Sequence, residues 1–238
     1  MACFDLLGGD SRALLPTLPQ DHFDAIITDP PYELGFMGKS WDKTGIAYDP
    51  SFWAQALRVL KPGGHLLAFG GSRTFHRIAV AIEDAGFELR DTLMYLYGSG
   101  FPKSLNITRF LGSAYQGWGT ALKPAFEPII MARKPIKGTV AQNVSAWRTG
   151  GINIEACRIG TNPRYNPPTT KGLTPAMGSF ANCHGQGSTV QGRWPANVLL
   201  DEVAAELLDQ SVRPTKSRPN TVSNKGSIWG SLNEDCRT

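Results

Sequence analysis

The sequence predicts an α/β fold with a largely parallel sheet and helices on its faces. Apolar segments that suit strands alternate with amphipathic helical segments over residues 1–135. The chain has 238 residues, 41% hydrophobic and 18% charged, which is enough to bury a core. This composition excludes a collagen-like, coiled-coil or wholly disordered chain, and no window reaches the roughly 18 apolar residues that span a bilayer.

The predicted strands are apolar runs closed by glycine, proline or polar residues, and they cover residues 2–8, 23–28, 65–69, 87–97 and 127–132. Helices are expected between them, one short segment ending at Leu18 and two longer ones over residues 50–60 and 72–86. Ser51 and Ser72 are the expected N-caps of the longer helices. The Lys61-Pro62-Gly63-Gly64 segment is expected to end the first of these before the next strand begins.

Beyond residue 135 the chain changes character. Glycine, proline and small polar residues dominate residues 136–195, which predicts a loop-rich region with small strands at most, as at residues 152–154. A brief helix is expected over residues 202–209, and the polar stretch from Ser211 is typical of disorder or of an interrupted domain. These changes divide the chain into residues 1–135, 136–201 and 202–238.

The charge is distributed unevenly. Residues 1–135 are balanced, so the whole formal net charge of +4 falls in residues 136–238. Within residues 137–193 the single acidic residue is Glu155, and the basic residues include Arg148, Arg158, Arg164 and Lys171. A polyanionic partner would be attracted to such a segment. Scattered cations on a solvated loop are the alternative explanation, and charge alone favours that alternative.

The motif that carries chemistry is Asp29-Pro30-Pro31-Tyr32. It directly follows a predicted buried strand, so it lies where α/β folds bind ligands. The Asp29 carboxylate and the Pro30 carbonyl are two acceptors for the two N–H bonds of an exocyclic amine on a base, which aims the nitrogen lone pair at an electrophilic methyl group. The Tyr32 ring offers a face to a base taken out of the helix, and such stacking contributes about 1–3 kcal/mol. A rigid turn is the alternative explanation, and the preceding strand favours the catalytic one.

Other side chains fit a site less specifically. Glu127, which follows a proline-rich segment, is a candidate orienting carboxylate. Trp41, Asp42 and Trp118 either line the DNA or base site or are packing residues, and the sequence favours neither explanation.

Two glycine-containing segments resemble ligand loops only in part. Phe69-Gly70-Gly71-Ser72 lacks the G-x-G spacing of a nucleotide loop and predicts a strand-to-helix turn. Tyr97-Gly98-Ser99-Gly100 has that spacing, but Phe101-Pro102 follows it and no helix N-terminus is available to receive an anion. We therefore expect it to be a loop near the base pocket.

Several stretches together resemble one family, the amino-methylating DNA methyltransferases of the permuted beta class, and especially its phage and prophage adenine methyltransferases. The resemblance covers most of residues 1–135 and, more weakly, residues 136–201. The stretches that carry it are GGDSRALLPTLP, FDAIITDPPYELGFMGKSWD, LRVLKPGGHLLAFGGSRTFHR, EDAGFELRD, YGSGFPKSLNI, WGTALKPAFEPIIMARKP and GRWPANVLLD.

The resemblance implies a Rossmann-like, S-adenosylmethionine-dependent fold with a loop-rich insertion, acting site-specifically on double-stranded DNA as in restriction-modification. Residues 1–135 would be the catalytic region and residues 136–201 the target-recognition region. The DPPY form is similar to that of adenine-N6 enzymes, whereas cytosine-N4 enzymes more often have serine in place of the aspartate. By this resemblance the catalytic and cofactor-binding residues are Asp10, Asp29, Pro30, Pro31 and Tyr32, with Asp10 near the adenine ring of the cofactor. The DNA-binding residues would be Arg148, Arg158, Arg164 and Lys171.

The same resemblance exposes a gap. In the permuted class the chief cofactor motif, a strand ending in a D-P-F-x-G-x-G-type loop, lies near the C-terminus, and this sequence does not contain it. That strand normally lies between the Gly-Asp strand and the Asp-Pro-Pro-Tyr strand, so its neighbours would lose their backbone partners. Three explanations stay open: a truncated methyltransferase, a half completed by a second chain or a homodimer partner, and a DNA-binding module with a vestigial site.

The cysteines and the N-terminus bear on compartment. The four cysteines show no C-x-x-C pairing and no histidine at metal-ligand spacing beyond Cys183-His184, which favours reduced thiols and no metal site. The first residues lack the basic start of a secretory signal. The sequence therefore predicts a cytoplasmic protein, bacterial or in a phage-infected cell.

Overall fold

The computed structural model describes residues 4–35, 40–166 and 188–211. Its strands are β1 (Phe23–Thr28), β2 (Leu60–Phe69), β3 (Glu88–Leu96), β4 (Phe126–Arg133), β5 (Ile159–Asn166), β6 (Ser188–Arg193) and β7 (Val198–Leu200). Its α-helices are α1 (Ser11–Leu14), α2 (Pro50–Val59), α3 (Phe75–Asp84), α4 (Thr108–Leu111), α5 (Val140–Trp147) and α6 (Glu202–Ser211). Five strands form one sheet in the order β1-β2-β4-β3-β7, and β5 pairs with β6 in a separate two-stranded antiparallel sheet.

The main sheet, with helices packed against it, confirms the predicted α/β class. Strand β1 runs parallel to β2, and β7 runs parallel to β3. Strand β4 lies between β2 and β3 and is antiparallel to both. Four strands therefore point in one direction, and their carboxyl ends meet at one edge of the sheet.

The core lies between this sheet and the helices α2 and α3. Apolar side chains on one face of β2 and β4 belong to this core, among them Leu66 and Ile130. Trp53 of α2 is 1% exposed, and its indole nitrogen donates to the Ala47 carbonyl at 3.0 Å. The amphipathic spacing predicted for both helices is therefore the spacing that builds the core.

The helix caps differ from the predicted ones. The Asp49 carboxylate, not Ser51, caps α2 by accepting from the Ser51 backbone nitrogen at 2.8 Å. Pro50 occupies the first helical turn, where its missing N–H leaves nothing unsatisfied. Helix α3 begins after Thr74 rather than after Ser72, because residues 71–74 form a turn in which the Thr74 nitrogen donates to the Gly71 carbonyl.

Strand β2 begins earlier than expected and includes the Lys61–Gly64 segment predicted as a break. Gly63 has a φ of +80°, and a Cβ there would lie 2.5 Å from Asn143 Nδ2. Its nitrogen donates to the Lys134 carbonyl at 3.0 Å. Gly63 therefore serves a close approach between β2 and the segment after β4, which sequence alone does not separate from a turn.

The predicted first strand is wrong for the residues that the structure describes. Residues 4–8 belong to no strand, and Phe4 and Leu6 are 88% and 92% exposed. Strand β1 is also not buried as expected, since Ile27 is 70% exposed. A strand needs a neighbour for its backbone groups, and within the described ranges β1 pairs only with β2.

Residues 136–201 contain more regular structure than predicted. Helix α5 packs against β2, and the hairpin of β5 and β6 follows. Residues 152–154 form no strand, whereas β7 returns to the main sheet beside β3. Helix α6 confirms the predicted helix at 202–209, and the polar stretch after Ser211 lies outside the described residues.

Candidate functional site

The Asp-Pro-Pro-Tyr motif follows β1 at the carboxyl edge of the sheet, as the sequence predicts. Asp29 is exposed, Pro30 is buried, and Tyr32 is half-buried. The Asp29 side chain is therefore accessible to solvent, whereas the buried Pro30 fixes the backbone of the turn. This is the side of an open α/β sheet on which ligands bind.

The structure brings a second carboxylate to this motif. Glu127 lies on β4 opposite Tyr95 of β3, far from Tyr32 along the chain. The Tyr32 hydroxyl donates to Glu127 Oε2 at 3.5 Å. The candidate orienting carboxylate of the sequence thus contacts the motif, and it does so because β2 and β4 are adjacent in the sheet.

The electrostatics of this cluster are unusual. Burial, the charge of Glu127 and the side chain of Asp29 together raise the pKa of Tyr32. Burial and then the charge of Asp29 raise the pKa of Glu127, although its hydrogen bond with Tyr32 opposes the change. Tyr97 belongs to the same cluster, since burial and the charge of Glu127 raise its pKa. Groups with pKa values shifted in this way are enriched at functional sites.

The turn after Tyr32 is held by Asp42, which is 2% exposed. The Glu33 nitrogen donates to Asp42 Oδ1 at 3.0 Å, and the Gly35 nitrogen donates to the Asp42 carbonyl at 3.1 Å. Glu33 itself has a φ of +56°. Asp42 is therefore a structural anchor of the turn that follows Tyr32, whereas its neighbour Trp41 is 56% exposed.

The turn between β2 and α3 packs against the Tyr32 ring. A Cβ on Gly71 would lie 3.2 Å from both Tyr32 Cδ2 and Thr74 Oγ1. Thr74 Oγ1 is buried and has no hydrogen-bond partner among the described residues. No local sequence signal identified Thr74, because its position depends on the packing of β1 against β2.

Asp10, the predicted cofactor residue, lies outside this cluster. Its carboxylate caps α1 and accepts from the Arg12 side chain at 2.7 Å. These hydrogen bonds lower the pKa of Asp10. The structure therefore gives the exposed carboxylate a local partner on its own helix.

Among the predicted DNA-binding residues that the structure describes, Arg148 lies at the far end of the sheet from the motif. Arg148 ends α5 with a φ of +60° and is exposed. The hydroxyl of the adjacent Thr149 donates to the Pro62 carbonyl at the amino end of β2. Ala68 lies at the carboxyl end of this strand, about 20 Å away along β2. Arg158 is bonded to Glu155 at 2.8 Å and lies over the ring of Trp194. Arg164 belongs to β5, and Lys171 lies outside the described residues.

Other kinds of site are not evident in the part of the chain that the structure describes. It contains no group of three potential metal ligands among histidine, cysteine and acidic side chains. None of its helices has the length and apolarity to cross a membrane. Cys157 is an exposed free thiol.

Comparison with known proteins identifies similar sequences and structures. A family model described as DNA methylase (N6_N4_Mtase) matches residues 23–173. Type II methyltransferase M.HindIII of Haemophilus influenzae is 32% identical in an alignment of 107 residues that covers 40% of this chain and 35% of that protein. The chain thus matches about a third of the length of this curated relative.

Solved structures give weaker similarities. A protein of Thermus thermophilus described as a DNA modification methylase aligns with a TM-score of 0.39 at 20% identity, over 58% of this chain and 56% of that one. The cytosine-N4-specific PvuII DNA methyltransferase aligns with a TM-score of 0.39 at 18% identity, over 58% and 52% of the two chains.

Proposed function

Because the chain belongs to the DNA methylase family whose model matches residues 23–173, we propose that it methylates the exocyclic N6 amine of adenine in double-stranded DNA, with S-adenosylmethionine as methyl donor. The observation that carries this proposal is the exposed Asp29 at the carboxyl end of β1, set beside Tyr32 and Glu127. The family includes both N6 and N4 chemistry, and the aspartate at the first position of the motif supports adenine.

Asp29, Pro30 and Tyr32 each have a distinct part in the proposed reaction. When bound, S-adenosylmethionine supplies an electrophilic methyl group. The Asp29 carboxylate accepts one N–H of the adenine amine, and the Pro30 carbonyl accepts the other, so that the nitrogen lone pair points away from both. The Tyr32 ring stacks on the extruded base. Glu127 accepts the hydrogen bond of the Tyr32 hydroxyl and thereby holds the ring in place.

The described residues fit a binding site for the adenine that accepts the methyl group better than a binding site for S-adenosylmethionine. Asp29 and the unpartnered Thr74 hydroxyl lie at the carboxyl edge. By contrast, Asp10 is paired with Arg12, and residues 4–8 are exposed and belong to no strand. These exposed residues therefore do not enclose a cofactor.

We further propose that a second chain or a homodimer partner completes the cofactor side of the site. Within the described ranges β1 has an open edge, and the side chain of Ile27 on this strand is 70% exposed. An unpaired strand edge with apolar neighbours is a template for strand addition. Light scattering, and hydrogen exchange of the β1 amides with and without the partner, would test this proposal, since pairing protects those amides.

Target recognition is proposed for residues 136–201, with Arg148, Arg158, Arg164 and Lys171 as candidate phosphate contacts. The concentration of positive charge in this segment supports the proposal. Substituting these residues should reduce the slope of affinity against salt concentration.

Nucleoside analysis by mass spectrometry tests the proposed function. Genomic DNA lacking the modification is incubated with the protein and S-adenosylmethionine and is then digested to nucleosides. N6-methyladenine is expected from the wild type and not from Asp29→Ala, which should still bind DNA. N4-methylcytosine would overturn the adenine assignment, and full activity in Asp29→Ala would overturn the role of the motif.

A further inference from the structure

A long segment leaves the carboxyl edge of the sheet between β3 and β4. This excursion, defined as residues 97–125, is closed at its base by a hydrogen bond from the Tyr97 nitrogen to the Ala125 carbonyl at 3.0 Å. Tyr97 follows the end of β3, two residues after Tyr95, which is the pairing partner of Glu127 on β4. The excursion therefore starts at the candidate catalytic site.

The excursion has its own internal order. The Ile107 nitrogen donates to the Trp118 carbonyl at 3.1 Å, and the Leu105 nitrogen donates to Thr120 Oγ1 at 2.9 Å. A Cβ on Gly119 would lie 2.4 Å from Ser104 Oγ, so the two arms approach closely at a glycine. These bonds hold the two arms together while helix α4 forms the tip.

This ordered segment exposes large apolar side chains that a monomer would normally cover. Phe101 is 77% exposed, Phe110 68%, Trp118 62% and Leu122 92%. The Tyr115 and Trp118 rings contact each other edge to face at 5.5 Å and leave the Trp118 ring largely in solvent. Clustered exposure of this kind marks a binding surface.

The charge of the excursion identifies the kind of partner. Residues 97–125 contain no aspartate or glutamate, and their basic residues are Lys103, Arg109 and Lys123. Arg109 is exposed at the tip, next to Phe110. Aromatic rings interleaved with cations and free of carboxylates suit a nucleic acid whose bases are unstacked, because rings stack on bases and cations bind phosphates.

We propose that the excursion is a DNA-binding surface, on which Trp118 and Phe110 stack on unstacked bases beside the extruded adenine and Arg109 binds a phosphate. The proposal rests on the proposed function, since it assumes that DNA reaches Asp29 at the same edge. It assigns DNA contact to a segment outside residues 136–201.

Fluorescence anisotropy with labelled DNA tests this proposal on the full chain. Two duplexes of equal length are compared, one fully paired and one with an unpaired adenine. Trp118→Ala and Phe110→Ala should each weaken binding to the unpaired duplex about tenfold and binding to the paired duplex less. Trp118→Phe should restore most of the affinity. Val80→Ala, which shortens a 55% exposed apolar side chain on α3 and outside both proposed DNA-binding regions, is the control.

The cation is tested separately by salt dependence. Arg109→Ala should reduce the slope of log affinity against log salt by about one, whereas the exposed Arg90→Ala on β3 should leave the slope unchanged. Circular dichroism establishes that each variant is folded, which is expected because the substituted side chains are exposed.

The outcomes separate this proposal from the proposed function. If the wild type methylates adenine and all three excursion variants bind DNA like the wild type, the DNA-binding proposal is wrong while the function stands. If no methyl transfer occurs but the variants lose DNA affinity as described, the DNA-binding proposal is supported and the proposed methyltransferase function is wrong. Loss of self-association without loss of DNA affinity would make the excursion a protein interface and would overturn the proposal.

Discussion

The two ends of the main sheet differ in how well their polar groups are paired. At the amino end, Asn143 is 1% exposed and bonds to the Pro62 carbonyl, the Thr149 carbonyl and the Lys137 nitrogen. Lys134 binds Asp21, and Arg133 binds Glu88 and the Gly150 carbonyl. Buried polar groups with this many partners tie the chain together.

At the carboxyl end, polar groups lie close together with fewer partners. Asp29 is exposed, the Tyr32–Glu127 contact is long at 3.5 Å, and Thr74 Oγ1 has no partner among the described residues. One end of the sheet is therefore built for stability, and the other leaves acceptors and rings available to a ligand. Natural proteins accept such local deficits at functional sites.

The largest effect is expected from Asp29→Asn, which removes the acceptor charge with little change in shape. Methyl transfer should fall by about 10²–10³-fold, comparable with removing one electrostatic contact from a transition state. Initial rates with radiolabelled S-adenosylmethionine measure it. Asp24→Asn on the same strand, where Asp24 pairs with Lys61 at 2.7 Å, is the matched control and should retain the rate.

The next largest effect is expected at the amino end. Asn143→Ala leaves the Pro62 and Thr149 carbonyls and the Lys137 nitrogen without that partner, so the free energy of unfolding should fall by about 2–3 kcal/mol. Urea denaturation measures this change. Gln142→Ala, on the exposed side of the same helix, should have a smaller effect. Equal effects from the two substitutions would contradict the contrast between the ends.

A smaller, pH-dependent effect is expected from Glu127→Gln. Because the fold raises the pKa of Glu127, protonated Glu127 stabilises the folded state relative to the ionised form. That stabilisation is full below the usual glutamate pKa of about 4.3 and is lost as the pH rises through the folded-state pKa. Glu127→Gln should therefore be more stable than the wild type at pH 7, and the difference should shrink towards pH 4.

Thermal unfolding at several pH values measures this difference. Glu83→Gln, at an exposed position of α3, is the control and should show no such trend. A Glu127→Gln variant that is less stable than the wild type at pH 7 would mean that other groups compensate the charge of Glu127. Ionised Glu127 would then not destabilise the carboxyl end of the sheet.

The smallest effect is expected from Arg148→Ala. Arg148 lies at the amino end, so its removal should change the salt dependence of DNA binding less than Arg109→Ala does. Anisotropy titrations across a range of salt concentrations measure both slopes. A larger change from Arg148→Ala than from Arg109→Ala would place the stronger phosphate contact at the amino end of the sheet and would contradict this comparison of the two ends.

Much of the fold followed from local pattern. The apolar runs at β1, β3 and β4 and the amphipathic faces of α2 and α3 were predicted close to their observed bounds, because side-chain periodicity follows directly from backbone geometry. The caps at Asp49 and Thr74 and the early start of β2 were missed. These features depend on which of several polar side chains or glycines contacts a backbone group in the folded chain.

By itself, the sequence determined the strand-turn motif Asp29–Tyr32 and its place at the carboxyl end of β1, because the order of residues along one strand sets both. It also determined the family that the motif resembles. Only the tertiary structure decided that Glu127 meets Tyr32, that residues 4–8 stay outside the sheet, and that Arg148 lies at the far end from Asp29. Each of these depends on which strands are neighbours, and strand adjacency results from long-range pairing that a local pattern does not encode.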